Sequence, residues 1–432
     1  MKNYFHSIKG MHDYLPSDVF IWNYIKKIFS EILNSYCFNE IKIPILEETR
    51  LFQQAIGKDT DVIKNEMYSF LDKKCKSLTL RPEGTVGCVR LIIEHFLLHQ
   101  TKKQKLWYCG EMFRYEKPQK GRFRQFYQIG AEVFGLENTA IELELILLIQ
   151  KIWKILGVSQ YLVLEINSIG SIQDRLLYEK FLVDFLNKHI NNLDKYSLFH
   201  LKNKPLGILD SKNIQVQEIL SKAPILNQYL NQKSNEKFKK FCKLLNIMNV
   251  KYTINNYLVR GLDYYNDIVF EWKSSAIGSQ STICAGGRYD KLMKKIGGPD
   301  TPAVGFAVGM ERLILLLKIL KKTPNFSNYI DIEIFFLEKS LKIEAIKLAE
   351  EIRNKFNMLK IQIDFFNNSI IKKFRCANKL NVNVVLLIGK KEFSEGNVTI
   401  KILKTHHQEC ILRTRILEKL YFIFKDKIQT TM

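Results

Sequence analysis

The chain lacks an apolar run long enough to cross a membrane. Its most apolar stretch, residues 141–155, is interrupted by two glutamates, two lysines and a glutamine, whereas a spanning helix needs about 20 largely apolar residues in a row. Residues 1–10 contain no apolar segment of the kind found in secretory signals. We therefore expect a soluble, cytoplasmic protein with no membrane contact.

Two further absences concern metals and nucleotides. The eight cysteines are scattered and include no Cys-x-x-Cys pair, so neither a disulfide framework nor a metal site is expected. The sequence also contains neither a Gly-x-x-x-x-Gly-Lys-Ser/Thr motif nor a Gly-x-Gly-x-x-Gly motif that follows a strand. Any nucleotide would therefore be bound by side chains on strands rather than by a glycine-rich loop.

Acidic residues are scarce relative to basic ones. There are 44 Asp and Glu against 66 Lys and Arg, which gives a formal net charge of +22. Such an excess favours a polyanionic partner such as nucleic acid. The basic residues are spread along the chain, however, and a composition rich in Lys, Ile and Asn is also typical of an AT-rich genome. Net charge by itself leaves both explanations open.

The first three quarters of the chain combine strands with a helical segment. Strands are predicted at 106–113, 122–134, 161–167, 257–273 and 281–288, and several have one polar face, which is typical of an antiparallel sheet under a binding site. Helices are predicted to begin with N-caps at Ser17, Thr85 and Thr139, the last within a capping box completed by Glu142. Residues 171–256 indicate several helices between two groups of strands. We predict a domain over residues 1–325 with a helical insertion at about 171–256.

A second domain is predicted over residues 326–432. It follows a helix-breaking sequence, Thr-Pro-Asn-Phe-Ser-Asn, within residues 321–329. Beyond this point strand patterns at 331–337, 360–366, 382–389 and about 397–403 are separated by helical patterns at 340–356 and 370–380. The alternation indicates a small α/β domain.

Two hexapeptides are the most informative feature of the sequence. Residues 260–265 are Arg-Gly-Leu-Asp-Tyr-Tyr, and residues 285–290 are Ala-Gly-Gly-Arg-Tyr-Asp. Arginine offers donors that suit carboxylates and phosphates, glycine lets a ligand approach the backbone, and tyrosine provides a flat wall with a polar tip. Either hexapeptide alone could be an exposed turn, but the pair predicts a binding site.

Two other segments suit nucleotide chemistry. Residues 113–126 place Phe-Arg-Tyr-Glu and Arg-Phe-Arg-Gln-Phe on either side of a short loop. Residues 305–312 place an arginine at the start of an apolar helix, where a phosphate meets both the guanidinium and the positive end of the helix dipole. These segments resemble motifs 2 and 3 of class II aminoacyl-tRNA synthetases. Residues 38–52 resemble motif 1, a dimer-forming element, although by themselves they indicate only an apolar strand.

The two hexapeptides resemble the histidine-specific motifs of the histidyl-tRNA synthetase family, and the similarity extends along essentially the whole chain. It implies an α+β catalytic domain built on an antiparallel sheet, with the helical insertion near the tRNA acceptor stem and a C-terminal α/β anticodon-binding domain. It also implies a histidine–tRNA ligase. Such an enzyme activates L-histidine with ATP and Mg²⁺, transfers it to the 3′-terminal adenosine of histidine tRNA, and acts as a homodimer.

The resemblance assigns ATP contacts to five residues. Arg114 would grip the α-phosphate, and Arg260 would assist there, where other class II enzymes use a metal ion. Glu116 would accept from the adenine amine, and Phe126 would stack on the base. Arg312 would meet the γ-phosphate.

The resemblance also assigns a histidine pocket. Glu83 and Thr85 would meet the α-ammonium, and Glu132 would accept from the imidazole, with Gln128, Tyr264 and Tyr265 completing the contacts. A carboxylate and a phenol can together satisfy both ring nitrogens. An alternative for Glu132 is a buried glutamate paired with Arg122 or Arg124.

Two alternatives without enzymatic activity, a synthetase-like regulator or sensor and an RNA-binding module, explain part of the sequence. Synthetase-like proteins act as regulators of histidine biosynthesis or as sensors of uncharged tRNA, but this chain keeps Arg114, Arg260 and Arg312. An RNA-binding module without catalysis would leave Glu83 and Glu132 unexplained. The ligase is therefore the preferred hypothesis.

Overall fold

The computed structural model divides the chain into two compact units, residues 1–324 and 325–432. It describes residues 5–57, 60–211, 213–278, 281–324 and 330–429. The domain boundary predicted after residue 325 therefore lies outside the described residues. Within these described ranges, no helix is both long and apolar enough to cross a membrane.

The first unit is built on an eight-stranded sheet accompanied by a small three-stranded one. Its strands are β1 Asn39–Glu40, β2 Leu46–Glu48, β3 Tyr68–Leu71, β4 Ser77–Leu80, β5 Gln104–Phe113, β6 Gln125–Phe134, β7 Val163–Ser168, β8 Thr253–Ile254, β9 Asn266–Lys273, β10 Thr282–Arg288 and β11 Ala303–Gly309. The large sheet has the order β1-β5-β6-β11-β10-β9-β7-β8. Its six central strands are antiparallel, which confirms the predicted fold class, and only the short edge strands β1 and β8 pair in parallel.

Helices cover both faces of this sheet. They are α1 Pro16–Ser35, α2 Thr49–Ile56, α3 Thr85–Glu94, α4 Leu97–Gln100, α5 Ala140–Ile155, α6 Ile172–Asn187, α7 Lys195–Asn203, α8 Ile214–Leu220, α9 Gln232–Ile247, α10 Leu292–Lys295 and α11 Met310–Ile319. Because side chains alternate along a strand, Trp107 joins the core formed with α1, α5 and α11, whereas its neighbour Tyr108 joins the core formed with α2 and α3. Helices α6 to α9 confirm the helical insertion.

Three helix starts differ from the sequence-based prediction. Thr85 is the first residue of α3 and not its N-cap. Helix α1 begins at Pro16, whose fixed φ suits a first helical position, so Ser17 is not its cap. Thr139 is the N-cap of α5, but it makes no side-chain capping bond. The predicted capping box is wrong because Glu142 bonds to Arg288 instead.

Three predicted strands also differ. The strand predicted at 257–273 begins only at Asn266, because residues 257–265 form an irregular segment that pairs with no neighbouring strand. The strand predicted at 122–134 begins at Gln125. The apolar strand expected around Ile43 is absent, and only the short β2 follows that position.

The second unit is a five-stranded sheet with helices. Its strands are β12 Ile332–Phe336, β13 Ile361–Ile363, β14 Val384–Ile388, β15 Asn397–Ile402 and β16 Gln408–Leu412, and its helices are α12 Lys342–Lys355, α13 Ile370–Lys379, α14 Lys390–Ser394, α15 Ile416–Ile423 and α16 Lys425–Gln429. The order is β13-β12-β14-β15-β16. Strands β13, β12 and β14 are parallel, and β15 and β16 are antiparallel. The predicted α/β class is confirmed; β16 and the helices α14, α15 and α16 were not predicted.

Arg288, the arginine of the second hexapeptide, is buried in the protein interior. Arg288 is 1% exposed, and its Nε lies 2.6 Å from Oε1 of Glu142, which is fully buried. A second nitrogen of Arg288 lies 3.1 Å from Oδ1 of Asp290. These contacts join the end of β10 to the first turn of α5.

We expect Glu142→Gln to lower the free energy of unfolding of the first unit by about 3–5 kcal/mol, because it leaves the buried guanidinium short of a counter-charge. All four tryptophans lie in this unit, so tryptophan fluorescence during urea unfolding measures its stability. Asp300→Asn is the matched control, because it breaks the exposed Lys291–Asp300 pair and should cost less than about 1 kcal/mol. Equal effects would contradict the structural role of the buried pair.

Candidate functional site

A cavity of about 1040 Å³ lies in the first unit and gathers ten of the eleven predicted site residues. Its walls come from the β4–α3 turn, the β5–β6 hairpin, the segment 257–265, strands β10 and β11, and the start of α11. The predicted residues on its surface are Glu83, Thr85, Arg114, Glu116, Phe126, Gln128, Arg260, Tyr264, Tyr265 and Arg312. The remaining residue, Glu132, lies behind the wall.

Three arginines converge at one end of the cavity. Arg312 donates from Nε to the carbonyl of Gly121 at 2.8 Å and from a terminal nitrogen to the carbonyl of Thr282 at 2.9 Å. Burial, together with the positive charges of Arg122 and Arg114, lowers the pKa of Arg312 to about 10. Repulsion among like charges is relieved by an anion, so this end of the cavity suits a polyphosphate.

A flat ring and a carboxylate lie beside these arginines. The guanidinium of Arg114 is 5.5 Å from the ring centre of Phe126, and its Nε donates to the carbonyl of Pro82 at 2.9 Å. The side chain of Glu116 is 8% exposed and is hydrogen-bonded by Nε of Arg122. The half-buried ring of Phe126 could stack on a planar base, and the carboxylate could accept from its amine.

Arg260 is held at the cavity wall by an acidic partner. It forms an ion pair with Glu271, and its guanidinium is 5.4 Å from the ring centre of Tyr265. Burial alone would lower the pKa of Arg260, but Tyr265 and Glu271 outweigh it and raise the pKa above its usual value. Arg260 is therefore a permanently charged group facing the cavity.

Glu83 explains how α3 begins. Its two carboxylate oxygens accept from the backbone amides of Thr85 at 3.0 Å and Val86 at 2.7 Å, so Glu83 rather than Thr85 caps the helix. The Tyr264 hydroxyl lies 3.2 Å from the same carboxylate. Burial raises the pKa of Glu83, although its hydrogen bond from Val86 opposes the shift. A partly satisfied carboxylate on the cavity surface could pair with an ammonium group.

Glu132 is 1% exposed and is surrounded by hydroxyl groups. It accepts from Oγ1 of Thr85 at 2.8 Å, from the Tyr108 hydroxyl at 3.2 Å and from the Tyr289 hydroxyl. Burial raises the pKa of Glu132 to about 8, against the opposing effect of the hydrogen bond from Tyr289. The buried carboxyl therefore exchanges its proton close to neutral pH.

The alternative pairing of Glu132 with an arginine is wrong. Arg122 is bonded to Glu116, and Arg124 lies over the ring of Tyr115 with its guanidinium 3.9 Å from the ring centre. Neither guanidinium reaches the hydroxyl cluster around Glu132.

Several residues of the site were not predicted. Tyr289 belongs to the second hexapeptide, but nothing in that hexapeptide indicates that its hydroxyl bonds to Glu132. Glu311 accepts from the Tyr14 hydroxyl at 2.8 Å and from the backbone amide of Tyr127 at 2.9 Å, and burial raises its pKa to about 7. The helical insertion also supplies part of the cavity wall through Asp194, Tyr196, Leu209, Asp210, Ser211, Asn213, Gln217 and Leu220.

Gly305 lies opposite Glu132 on the neighbouring strand, and the carboxylate of Glu132 occupies the space that a side chain at position 305 would fill. A Cβ atom at position 305 would overlap Oε2 of Glu132 and lie 2.7 Å from the carbonyl oxygen of Ala131. A side chain at this position and the native orientation of Glu132 therefore exclude each other.

We expect Gly305→Ala to destabilise the first unit by more than about 2 kcal/mol, because Ala131 and Glu132 lie on the neighbouring strand β6, whose backbone cannot move away without breaking the ladder. Gly309→Ala, on the same strand, is the control: its Cβ would lie 3.8 Å from the nearest atom, in Arg312. Urea unfolding followed by tryptophan fluorescence compares the two. Equal stability of the two variants would show that position 305 has room for a side chain.

Comparison with protein families places two models on the chain. A model described as histidyl-tRNA synthetase matches residues 10–313, and a model described as anticodon binding domain matches residues 331–421. Together they span both compact units.

Two relatives that match over nearly their whole length are both named histidine–tRNA ligase. The histidine–tRNA ligase of Buchnera aphidicola subsp. Schizaphis graminum is 51% identical over 98% of this chain and 99% of its own length. The histidine–tRNA ligase of Buchnera aphidicola subsp. Baizongia pistaciae is 47% identical over 99% of this chain and 100% of its own length.

Solved structures show the same fold. The apo histidyl-tRNA synthetase of S. aureus matches with a TM-score of 0.79 and 30% identity, covering 96% of this chain and 100% of that one. A Bacillus halodurans protein titled as an ATP phosphoribosyltransferase regulatory subunit/histidyl-tRNA synthetase matches with a TM-score of 0.62 and 21% identity, covering 90% of this chain and 99% of that one. The second likeness concerns the fold alone.

Proposed function

The chain belongs to the histidyl-tRNA synthetase family, and we propose that its cavity catalyses the two-step histidine–tRNA ligase reaction. In the first step the carboxylate of histidine attacks the α-phosphorus of ATP, giving histidyl-adenylate and pyrophosphate. In the second step a hydroxyl of the 3′-terminal adenosine of histidine tRNA attacks the acyl carbon and releases AMP. The protein is an aminoacyl-tRNA synthetase.

The observation that carries this proposal is the polarity of the cavity. Arg114, Arg122 and Arg312 line it and suit a triphosphate, and Glu83 and Tyr264 line it as well and suit an ammonium group. An aligned amino acid and nucleotide would bring the carboxylate and the α-phosphorus together, and such alignment supplies much of the rate enhancement in phosphoryl chemistry.

We propose a nucleotide contact for each of the predicted residues in this arrangement. Phe126 would stack on adenine. Glu116 would release Arg122 and accept a hydrogen bond from the adenine amine instead. Arg260 would stabilise charge at the α-phosphate, and Arg114 would hold the same group. Such preorganised donors stabilise charge that develops in the transition state.

The histidine ring would lie over the hydroxyl cluster. Tyr264 and Tyr265 would form its walls, Gln128 would contact it from β6, and Glu132 would accept from an imidazole N–H. Discrimination by such hydrogen bonds can reach about 10⁴–10⁵ against analogues that lack the donor. No separate editing site is needed on this basis.

Mg²⁺ would enter the site with ATP. Among the described residues, no three or more His, Cys, Asp or Glu side chains are grouped so as to hold a metal ion, so the ATP phosphates would supply most of its ligands. Family membership further supports histidine tRNA as the partner of the second unit, a homodimeric assembly and a cytoplasmic location.

The test of the proposed function is ATP–pyrophosphate exchange with each amino acid in turn. We expect exchange with histidine alone, and we expect Arg260→His to reduce it by about 10²–10³-fold because a preorganised donor is lost. Arg50→His is the control, since the Arg50 side chain is 82% exposed. Unchanged exchange in Arg260→His would refute the role of Arg260. Absence of exchange from a folded protein that still binds histidine would favour the regulator.

The pH profile tests the role of Glu132. Because its pKa is about 8 and the ionised form is the stronger acceptor for an imidazole N–H, kcat/KM for histidine should rise with pH through a midpoint near that value. Tyr289→Phe removes a hydrogen bond that lowers this pKa, so the midpoint should move to higher pH. Tyr178→Phe is the control, because the buried Tyr178 hydroxyl bonds instead to the carbonyl of Pro224. A midpoint that is the same in all three proteins would exclude Glu132 as the titrating group.

A further inference from the structure

The segment 260–265 contributes five residues to the cavity wall, three of them predicted site residues, but belongs to no strand. Arg260, Tyr264 and Tyr265 all line the cavity, yet the segment precedes β9 as irregular structure. A Cβ atom at Gly261 would meet nothing within 4 Å, so the protein packs loosely around that position. The geometry of these three side chains must therefore be maintained by contacts to the backbone and side chains of the segment itself.

Two cations from the helical insertion provide such contacts. Nζ of Lys204, just after α7, lies 2.6 Å from Oδ1 of Asp263 and 3.4 Å from the carbonyl oxygen of Gly261. A terminal nitrogen of Arg175, on α6, donates to the carbonyl of Tyr265 at 2.8 Å. The insertion thus contacts the segment near its beginning, at its middle and at its end.

The ion pair between Lys204 and Asp263 is partly shielded from solvent. The Lys204 side chain is 18% exposed and that of Asp263 is 38% exposed, so solvent screens this pair less than a fully exposed one. From the catalytic body, the carbonyl of Ile56 accepts from the amide of Asp263 at 3.2 Å. The catalytic body also contacts two side chains of the segment, because Glu271 pairs with Arg260 and Glu83 accepts from the Tyr264 hydroxyl, whereas the two cations of the insertion bind its backbone and Asp263.

We infer that Lys204 and Arg175 are positioning residues through which the helical insertion fixes the amino-acid end of the cavity. This inference rests on the proposed function, because it treats the segment 260–265 as part of the histidine site. It assigns the insertion a role in amino-acid affinity that is separate from any contact with tRNA. Neither cation lines the cavity, so both act through the segment rather than on the substrate.

The test is steady-state ATP–pyrophosphate exchange without tRNA. Lys204→Ala should raise the KM for histidine by about three- to tenfold, the range expected when one partly shielded charge-assisted contact is lost, and should change the KM for ATP by less than twofold. Lys204→Arg should restore most of the histidine affinity. Lys202→Ala, which removes an exposed lysine from the same turn of α7, should match the unmodified chain.

A double-mutant cycle makes the test specific. If Lys204 acts through Asp263, then Asp263→Asn and Lys204→Ala together should raise the histidine KM by less than the product of their separate effects. Fully multiplicative effects, equal changes in the KM for histidine and for ATP, or a histidine KM within twofold of normal in Lys204→Ala would each overturn the inference. Failure of the unmodified chain to exchange with histidine would instead refute the proposed function.

Discussion

The carboxylate of Glu132 is the group on which the amino-acid end of the site depends. It joins four parts of the fold, because it accepts from a residue at the start of α3, from Tyr108 on β5 and from Tyr289 after β10, and it fills the space beside Gly305 on β11. A buried carboxylate is costly unless donors surround it. The three hydroxyl groups supply those donors, but burial still raises the pKa to about 8, and the ionised form keeps acceptor capacity for a ligand.

The part of the cavity proposed for the nucleotide clusters positive charges, whereas the part proposed for the amino acid surrounds a carboxylate with donors. In the nucleotide part the protein brings Arg114, Arg122 and Arg312 close together, and burial together with their mutual repulsion lowers the pKa of Arg312. The ion pair between Arg122 and Glu116 reduces this cost. Because the proposed adenine contact uses the same carboxylate, nucleotide binding would release Arg122 toward the phosphates. Binding of the base and binding of the phosphates would thereby be coupled.

The sequence was sufficient to predict the antiparallel core, the helical insertion, the α/β unit and a set of residues of which ten line one cavity. From the short motif at 260–265 it indicated residues of that cavity, although it wrongly predicted a strand there. It failed where two residues far apart in the sequence compete for one partner. The pattern of Thr139 and Glu142 matches a capping box, but a buried ion pair with a residue 146 positions away is stronger than a local cap. Local spacing contains no information about such a competitor.

The same limit explains the unpredicted part of the cavity. Residues 194–220 line it without any motif of their own, because they need only fit against side chains presented by the catalytic body. Their role is set by tertiary position, which helical periodicity does not encode. Lys204 is an ordinary lysine in the sequence, and only its distance to Asp263 distinguishes it from Lys202.

The arginine cluster also bears on the choice between an enzyme and a regulator. A protein that only senses histidine needs the hydroxyl cluster and the carboxylates at one end of the cavity, and it gains nothing from three repelling guanidinium groups at the other end. Like charges held together lower stability unless a ligand compensates them. Arg260 adds a fourth positive charge at the cavity wall, already balanced by Glu271. A cavity that keeps this charge arrangement together with a complete amino-acid end fits a reaction between histidine and a polyphosphate better than it fits the binding of histidine alone.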